Sequence, residues 1–149
     1  MPPARKLAIV ACLDARLTIE RMLELKTGDA HIIRNAGGIV TEDVVRSLVI
    51  SQQLLGTQEM MIINHTDCGM LTFKDDNLRT RLLNSTGKLA AAPARFYAFT
   101  DLEQNVGEQV HKLRSHPWIP QQVVVRCFVY DVRSGRLKEI TDIELQRVA

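Results

Sequence analysis

The sequence has no run of apolar residues close to the roughly 18 that are needed to span a bilayer. It has only three cysteines, which is too few and the wrong parity for a disulfide scaffold. Its 19 basic and 17 acidic residues leave a net charge of +2, which does not predict binding to nucleic acid or anionic lipid. The first residues lack the basic-then-apolar pattern of a signal peptide. We therefore expect a cytoplasmic protein with neither a membrane nor a nucleic-acid partner.

What the sequence does contain is typical of one globular domain. Its 149 residues are 46% apolar and 24% charged, and we interpret residues 1–149 as a single domain. Short β-branched runs alternate with longer helical patterns, which predicts an α/β fold. The predicted architecture is a mostly parallel sheet of four to five strands flanked by helices.

The predicted elements follow from apolar runs and from helix start and stop signals. Strands are predicted over residues 7–11, 31–34, 59–64, 123–129 and 137–140. Helices are predicted over residues 18–25, between an N-cap at Thr41 and a stop at Gly56, and over residues 102–113. Residues 71–93 are polar and have no pattern that assigns an element.

Polar and glycine-rich segments follow the first three predicted strands. In parallel sheets, ligands bind beyond the carboxyl ends of the strands, so these segments should meet at one edge. They are residues 12–16, residues 65–69, and the pocket-forming run Asn35, Ala36, Gly37 and Gly38. We expect that run to line a substrate pocket, because glycine lets backbone N–H groups approach closely.

Cys12, His65 and Cys68 form a candidate metal site at that edge. Thiolate and imidazole are the ligands that zinc prefers, and His65 and Cys68 are three positions apart in one loop. Three protein ligands leave the fourth position of a catalytic zinc free for water. Zinc lowers the pKa of that water to roughly 7, which makes hydroxide available as a nucleophile.

Asp14 and Arg16 follow Cys12 at alternate positions and face the same way if the segment is extended. Asp14 is a possible fourth zinc ligand, or an acceptor for the bound hydroxide. Arg16 is expected to hold Asp14 ionised through a bidentate pair. Each feature alone has an ordinary structural explanation, such as core packing or a surface ion pair, but their joint placement favours a metal site.

The ordered motifs resemble the β-class carbonic anhydrases, most closely the short bacterial and fungal subgroup that includes carbonyl sulfide hydrolases. The resemblance is carried by Cys12-x-Asp14-x-Arg16, by residues 33–38, by residues 65–70 and by the segments 51–57 and 117–137. It implies one zinc ion per chain on Cys12, His65 and Cys68, and a catalytic dyad of Asp14 and Arg16. It also implies a homodimer or homotetramer that hydrates carbon dioxide reversibly by zinc-hydroxide attack.

Three alternatives stay open beside this activity. Carbonyl sulfide is a similar linear electrophile, and its hydrolysis to hydrogen sulfide and carbon dioxide uses the same attack. Leu13, Asn64 and Cys127 depart from the methionine, histidine and glycine that are common in the family, which keeps this alternative open. A structural zinc closed by Asp14, in an interaction module, is the second alternative. A nucleotide-binding protein is the third and weakest, since no glycine-rich turn follows the first strand.

Overall fold

A central five-stranded sheet organises the computed structural model, which describes residues 1–141. The strand order is β2-β1-β3-β4-β5, and β1 to β4 are parallel while β5 is antiparallel to β4. The bounds are β1 Leu7–Cys12, β2 Ala30–Asn35, β3 Glu59–His65, β4 Val124–Asp131 and β5 Arg136–Ile140. The predicted α/β fold with a mostly parallel sheet is confirmed.

Four α-helices accompany the sheet in the described part of the chain: α1 Ile19–Met22, α2 Glu42–Leu55, α3 Asp75–Thr86 and α4 Leu102–Arg114. The predicted signals for α2 are correct, because the Thr41 hydroxyl accepts from the Val44 amide and Gly56 ends the helix in the left-handed conformation. No helix within these residues is long and apolar enough to cross a membrane.

One helix prediction needs correction, and one helix was not predicted. The helix predicted over residues 18–25 ends at Met22, because the chain turns at Glu24, whose φ of 52° is incompatible with a right-handed helix. The unassigned stretch 71–93 contains α3, which has no buried residue. The hydrophobic pattern of this stretch did not predict α3, because the helix does not present an apolar face to the core.

The two faces of the sheet carry separate apolar clusters, since successive side chains of a strand point to opposite faces. On one face, α2 and α4 cover Ala8, Val10, Met60 and Ile62. On the other face, Ile9, Ala11, Met61 and Ile63 pack with residues that follow β1 and β3. Cys127, in β4, is 1% exposed and belongs to the first of these clusters.

Asp75 anchors the segment that returns from α3. Its carboxylate accepts hydrogen bonds from the amides of Phe96, Tyr97 and Ala98 at 2.8, 3.2 and 2.9 Å. Burial opposes ionisation of Asp75, but these three donors prevail and the pKa of Asp75 lies below its ordinary value. The anchor places Phe99 against the apolar cluster that contains Cys12 and Cys68.

Replacing Asp75 by asparagine should lower the free energy of unfolding by about 1–3 kcal/mol at neutral pH, because hydrogen bonds to a charged acceptor are lost. The difference should shrink as the pH falls below about 4, because a depressed carboxyl pKa contributes stability only while the group is ionised. Urea unfolding at several pH values measures this. Asp76→Asn, on the same first turn, is the matched control, and an equal loss in both variants would contradict the anchor.

Candidate metal centre

The candidate centre lies where the strand order reverses, between β1 and β3. β2 pairs with one side of β1 and β3 with the other, so a crevice opens at their carboxyl ends. Cys12 ends β1, His65 ends β3, and Cys68 follows in the next turn. All three are buried, and their ligand atoms lie within 4.8 Å of one another. The fold thus brings the three predicted ligands together.

One ring nitrogen of His65 has no hydrogen-bond partner among the described residues. Its Nδ1 lies 2.8 Å from the Thr66 carbonyl oxygen, so Nδ1 carries the proton and donates it. That tautomer leaves a lone pair on Nε2, which is buried and makes no hydrogen bond within residues 1–141. A buried lone pair beside two thiols fits a zinc ion, since the carbonyl bond is the usual way to orient a histidine ligand.

The two thiols differ in their readiness to ionise. Hydrogen bonding to the Cys68 thiol lowers the pKa of Cys12, against the opposing effect of burial. The Gly37 amide adds to this, because it donates to Cys12 Sγ at 3.4 Å. The same contact with Cys12, together with burial, raises the pKa of Cys68. A metal replaces the protons of its thiol ligands, so a pair of thiols in which one already favours the thiolate form suits a metal site.

Asp14 and Arg16 form the predicted pair beside these ligands. Arg16 Nε donates to Asp14 Oδ1 at 2.9 Å, and a terminal nitrogen donates to Oδ2 at 2.8 Å. These hydrogen bonds are the main reason that the pKa of Asp14 is far below its ordinary value. Asp14 Oδ2 lies 3.9 Å from His65 Nε2. The carboxylate is therefore ionised, oriented and adjacent to the candidate ligands.

The predicted pocket segment forms a short 3-10 turn after β2. The Asn35 side chain clasps the turn, because it donates to the Ile39 carbonyl and accepts from the Ile39 amide, both at 2.8 Å. Ala36 is exposed, while Gly37 and Gly38 are buried. Gly37 has a φ of 83°, and a Cβ there would meet Met70 at 3.0 Å. The turn lies against the centre, and its contact with substrate stays a prediction.

Comparison with known proteins shows which family the chain belongs to. A sequence model described as carbonic anhydrase matches residues 7–137. The chain belongs to the β-carbonic anhydrase family.

Its relatives in this family have two kinds of name. The chain is 46% identical over 141 residues to "Beta-carbonic anhydrase 1" of Mycobacterium tuberculosis, covering 95% of this chain and 85% of the relative. It is 33% identical to a "Carbon disulfide hydrolase" of Acidithiobacillus thiooxidans, covering 93% and 78%. A carbonic anhydrase structure from Streptococcus mutans has a TM-score of 0.89 at 44% identity, covering 94% of this chain and 84% of that one. The chain is accordingly an enzyme of the β-carbonic anhydrase family.

The structure also gives Arg34 a role that the sequence motifs did not reveal. Arg34 Nε donates to the Cys12 carbonyl at 3.0 Å, and a terminal nitrogen donates to the Asp14 carbonyl at 2.6 Å. Arg34 thereby fixes the backbone that carries Cys12 and Asp14. The signal in the sequence was a charged residue that follows two isoleucines at the end of the predicted strand, directly before Asn35.

Proposed function

We propose that the chain catalyses the reversible hydration of carbon dioxide, with zinc bound by Cys12, His65 and Cys68. The observation that carries this proposal is the buried Nε2 of His65, which has no hydrogen-bond partner within residues 1–141 and lies within 4.8 Å of two thiol sulfurs. The 46% identity to a β-carbonic anhydrase supports the same substrate. The proposal includes one zinc ion per chain, a homodimer or homotetramer, and a cytoplasmic location.

Zinc on these ligands supplies a nucleophilic water near neutral pH, because the metal lowers the pKa of that water. The chain's own residues orient the reaction. Asp14, ionised and held through both oxygens by Arg16, can only accept hydrogen bonds and so fixes the direction of a donor in front of it. Burial of the three ligand side chains keeps bulk water away from the site and strengthens these electrostatic interactions.

Hydrolysis of carbonyl sulfide or carbon disulfide is the second candidate. The relatives named carbon disulfide hydrolase, 33% and 34% identical to this chain, are the observation that favours it. In carbonyl sulfide hydrolysis, water adds to the carbon, the C–S bond breaks, and hydrogen sulfide and carbon dioxide leave. A difference of one larger atom in an apolar pocket is worth only roughly 1–3 kcal/mol, so close relatives can differ in preference.

A parallel turnover assay tests the proposal. Zinc-loaded protein is assayed at mildly alkaline pH for carbon dioxide hydration and for sulfide release from carbonyl sulfide and carbon disulfide, with Cys68→Ser as the blank. We expect rapid hydration and slow sulfide release. Slow hydration with rapid sulfide release would establish the second candidate instead. If neither activity is present while zinc is bound, both enzymatic proposals fail and the structural zinc alternative remains.

A further inference from the structure

Asn64 lies next to the ligand His65 but faces the opposite side of the sheet, because strand side chains alternate. It is 1% exposed, and both polar atoms of its side chain have a hydrogen-bond partner. Its Nδ2 donates to the Gly37 carbonyl at 3.1 Å, and its Oδ1 accepts from Asn105 Nδ2 at 2.7 Å. The side chain thus connects the glycine turn at the metal centre with α4.

Two further amides continue this connection along α4. Asn105 and Gln109 are four residues apart and therefore share one face of the helix. Gln109 Nε2 donates to Asn105 Oδ1 at 3.0 Å. Gln109 Oε1 accepts from the Val40 amide at 2.9 Å and from Lys112 Nζ at 3.2 Å. We call Asn64, Asn105 and Gln109 the amide chain; all three are buried.

Both ends of the amide chain fix its direction. The Gly37 carbonyl can only accept a hydrogen bond, so Asn64 must turn its NH₂ group toward it. The Val40 amide and the Lys112 ammonium can only donate, so Gln109 must turn its oxygen toward them. Each amide between these ends then has a single orientation. A buried network in which every member is satisfied is rigid, and apolar residues would fill the same space without this order.

The amide chain ends directly beneath the turn that contacts Cys12. Gly37 donates to Cys12 Sγ from a left-handed backbone conformation. A Cβ on Gly38 would meet Cys12 N at 3.0 Å and Asn64 Nδ2 at 3.1 Å, so strand, turn and amide chain are in close contact. The turn is also tied at Val40 by Gln109. The N–H that donates to the thiol therefore belongs to a residue, Gly37, whose own carbonyl is held by the amide chain.

We propose that the amide chain, by holding the Gly37 carbonyl, positions Gly37 so that its N–H points at Cys12 Sγ and moderates the electron donation of that thiolate to a bound metal. Asn64, Asn105 and Gln109 are positioning residues that act through Gly37. The inference rests on the proposed metal site but not on the choice of substrate. A hydrogen bond to a metal-bound sulfur withdraws electron density from it, and such outer contacts tune metal affinity.

The test uses Asn64→Leu and Gln109→Met, which keep side-chain size and add no charge. Each full-length variant is loaded with Co²⁺ in place of zinc, and the thiolate-to-cobalt charge-transfer absorption is recorded. We expect this band to move to lower energy in Asn64→Leu and to move in the same direction, by less, in Gln109→Met. Zinc affinity, from competition with a chelator at fixed pH, should change about 10-fold or more in Asn64→Leu.

Thr57→Val is the matched control, because Thr57 and Ser51 form a buried 2.6 Å hydrogen bond at the amino end of β3, away from the centre. It should lower the melting temperature without moving the band.

If the band and the zinc affinity of both amide-chain variants equal those of the wild type, the inference is overturned. If Asn64→Leu does not fold, Gln109→Met decides alone. A wild type that binds Co²⁺ but hydrates no carbon dioxide would overturn the proposed function while this test still applies, and a wild type that binds no metal would overturn both.

Discussion

Replacing Cys68 by serine, or His65 by alanine, should remove stoichiometric zinc and catalytic turnover together. Serine keeps the shape of cysteine, but its hydroxyl does not ionise near neutral pH and is a poor zinc ligand. Alanine removes the buried Nε2, which lies within 4.8 Å of both thiol sulfurs. Structural zinc sites with four ligands are worth about 10–16 kcal/mol, or roughly 2.5–4 kcal/mol per ligand. Loss of one ligand should thus weaken zinc binding about 100-fold or more.

Two measurements decide this prediction: zinc content by mass spectrometry after dialysis, and initial rates of carbon dioxide hydration. Cys127→Ser is the matched control, because Cys127 is equally buried but lies in β4 among core residues. It should keep one zinc per chain and near wild-type turnover. Full zinc content with full turnover in Cys68→Ser or His65→Ala would remove that residue from the ligand set.

The sheet and the three candidate ligands were predictable from sequence because each depends on a local pattern. Continuous apolar runs locate the buried strands within two residues of their observed ends. The rule that ligands gather at the carboxyl ends of parallel strands then places Cys12 and His65 at the same edge. Only the pairing of β1 with β3, which the structure supplies, shows that the two residues are neighbours.

The anchor at Asp75 was beyond the reach of sequence reasoning. Its partners are backbone amides 21 to 23 positions later, and a backbone amide has no residue type that a pattern can detect. The same polar stretch hides α3, which presents no buried residue. The contact that holds α3 is made by Asp75 in its first turn and not by an apolar face, so periodicity does not reveal the helix.

The sequence could have predicted the amide chain only in part. Asn105 and Gln109 lie on the same buried face of α4 as Val106, Val110 and Leu113. Polar residues at helical spacing within an apolar face are a detectable signal, because a buried amide requires a partner. The sequence does not show which residue is that partner. Asn64 stands in place of a familiar histidine, and only the strand pleat shows that it faces α4 and not the ligands.

Asp14→Asn should keep stoichiometric zinc and lose about 100-fold or more in turnover, the usual scale for a positioned acid–base group. Asparagine has the same shape, so the three metal ligands stay in place. It lacks the charge that Arg16 holds through two oxygens, and its NH₂ group would face a guanidinium that can only donate. Loss of the oriented acceptor should therefore affect kcat with little change in zinc affinity.

Asp67→Asn is the control that distinguishes an effect of the oriented Asp14 carboxylate from an effect of removing any negative charge near the site. Asp67 lies in the turn between His65 and Cys68, and its carboxylate pairs with Arg133 at the surface, 3.2 Å away. Asparagine tolerates the φ of 53° at this position. If neutralising either acid reduced turnover equally, the general field of the site would explain the loss. If only Asp14→Asn reduces turnover while zinc stays bound, the reaction requires the Asp14 carboxylate that Arg16 orients. An unaffected rate in Asp14→Asn would exclude Asp14 from the mechanism.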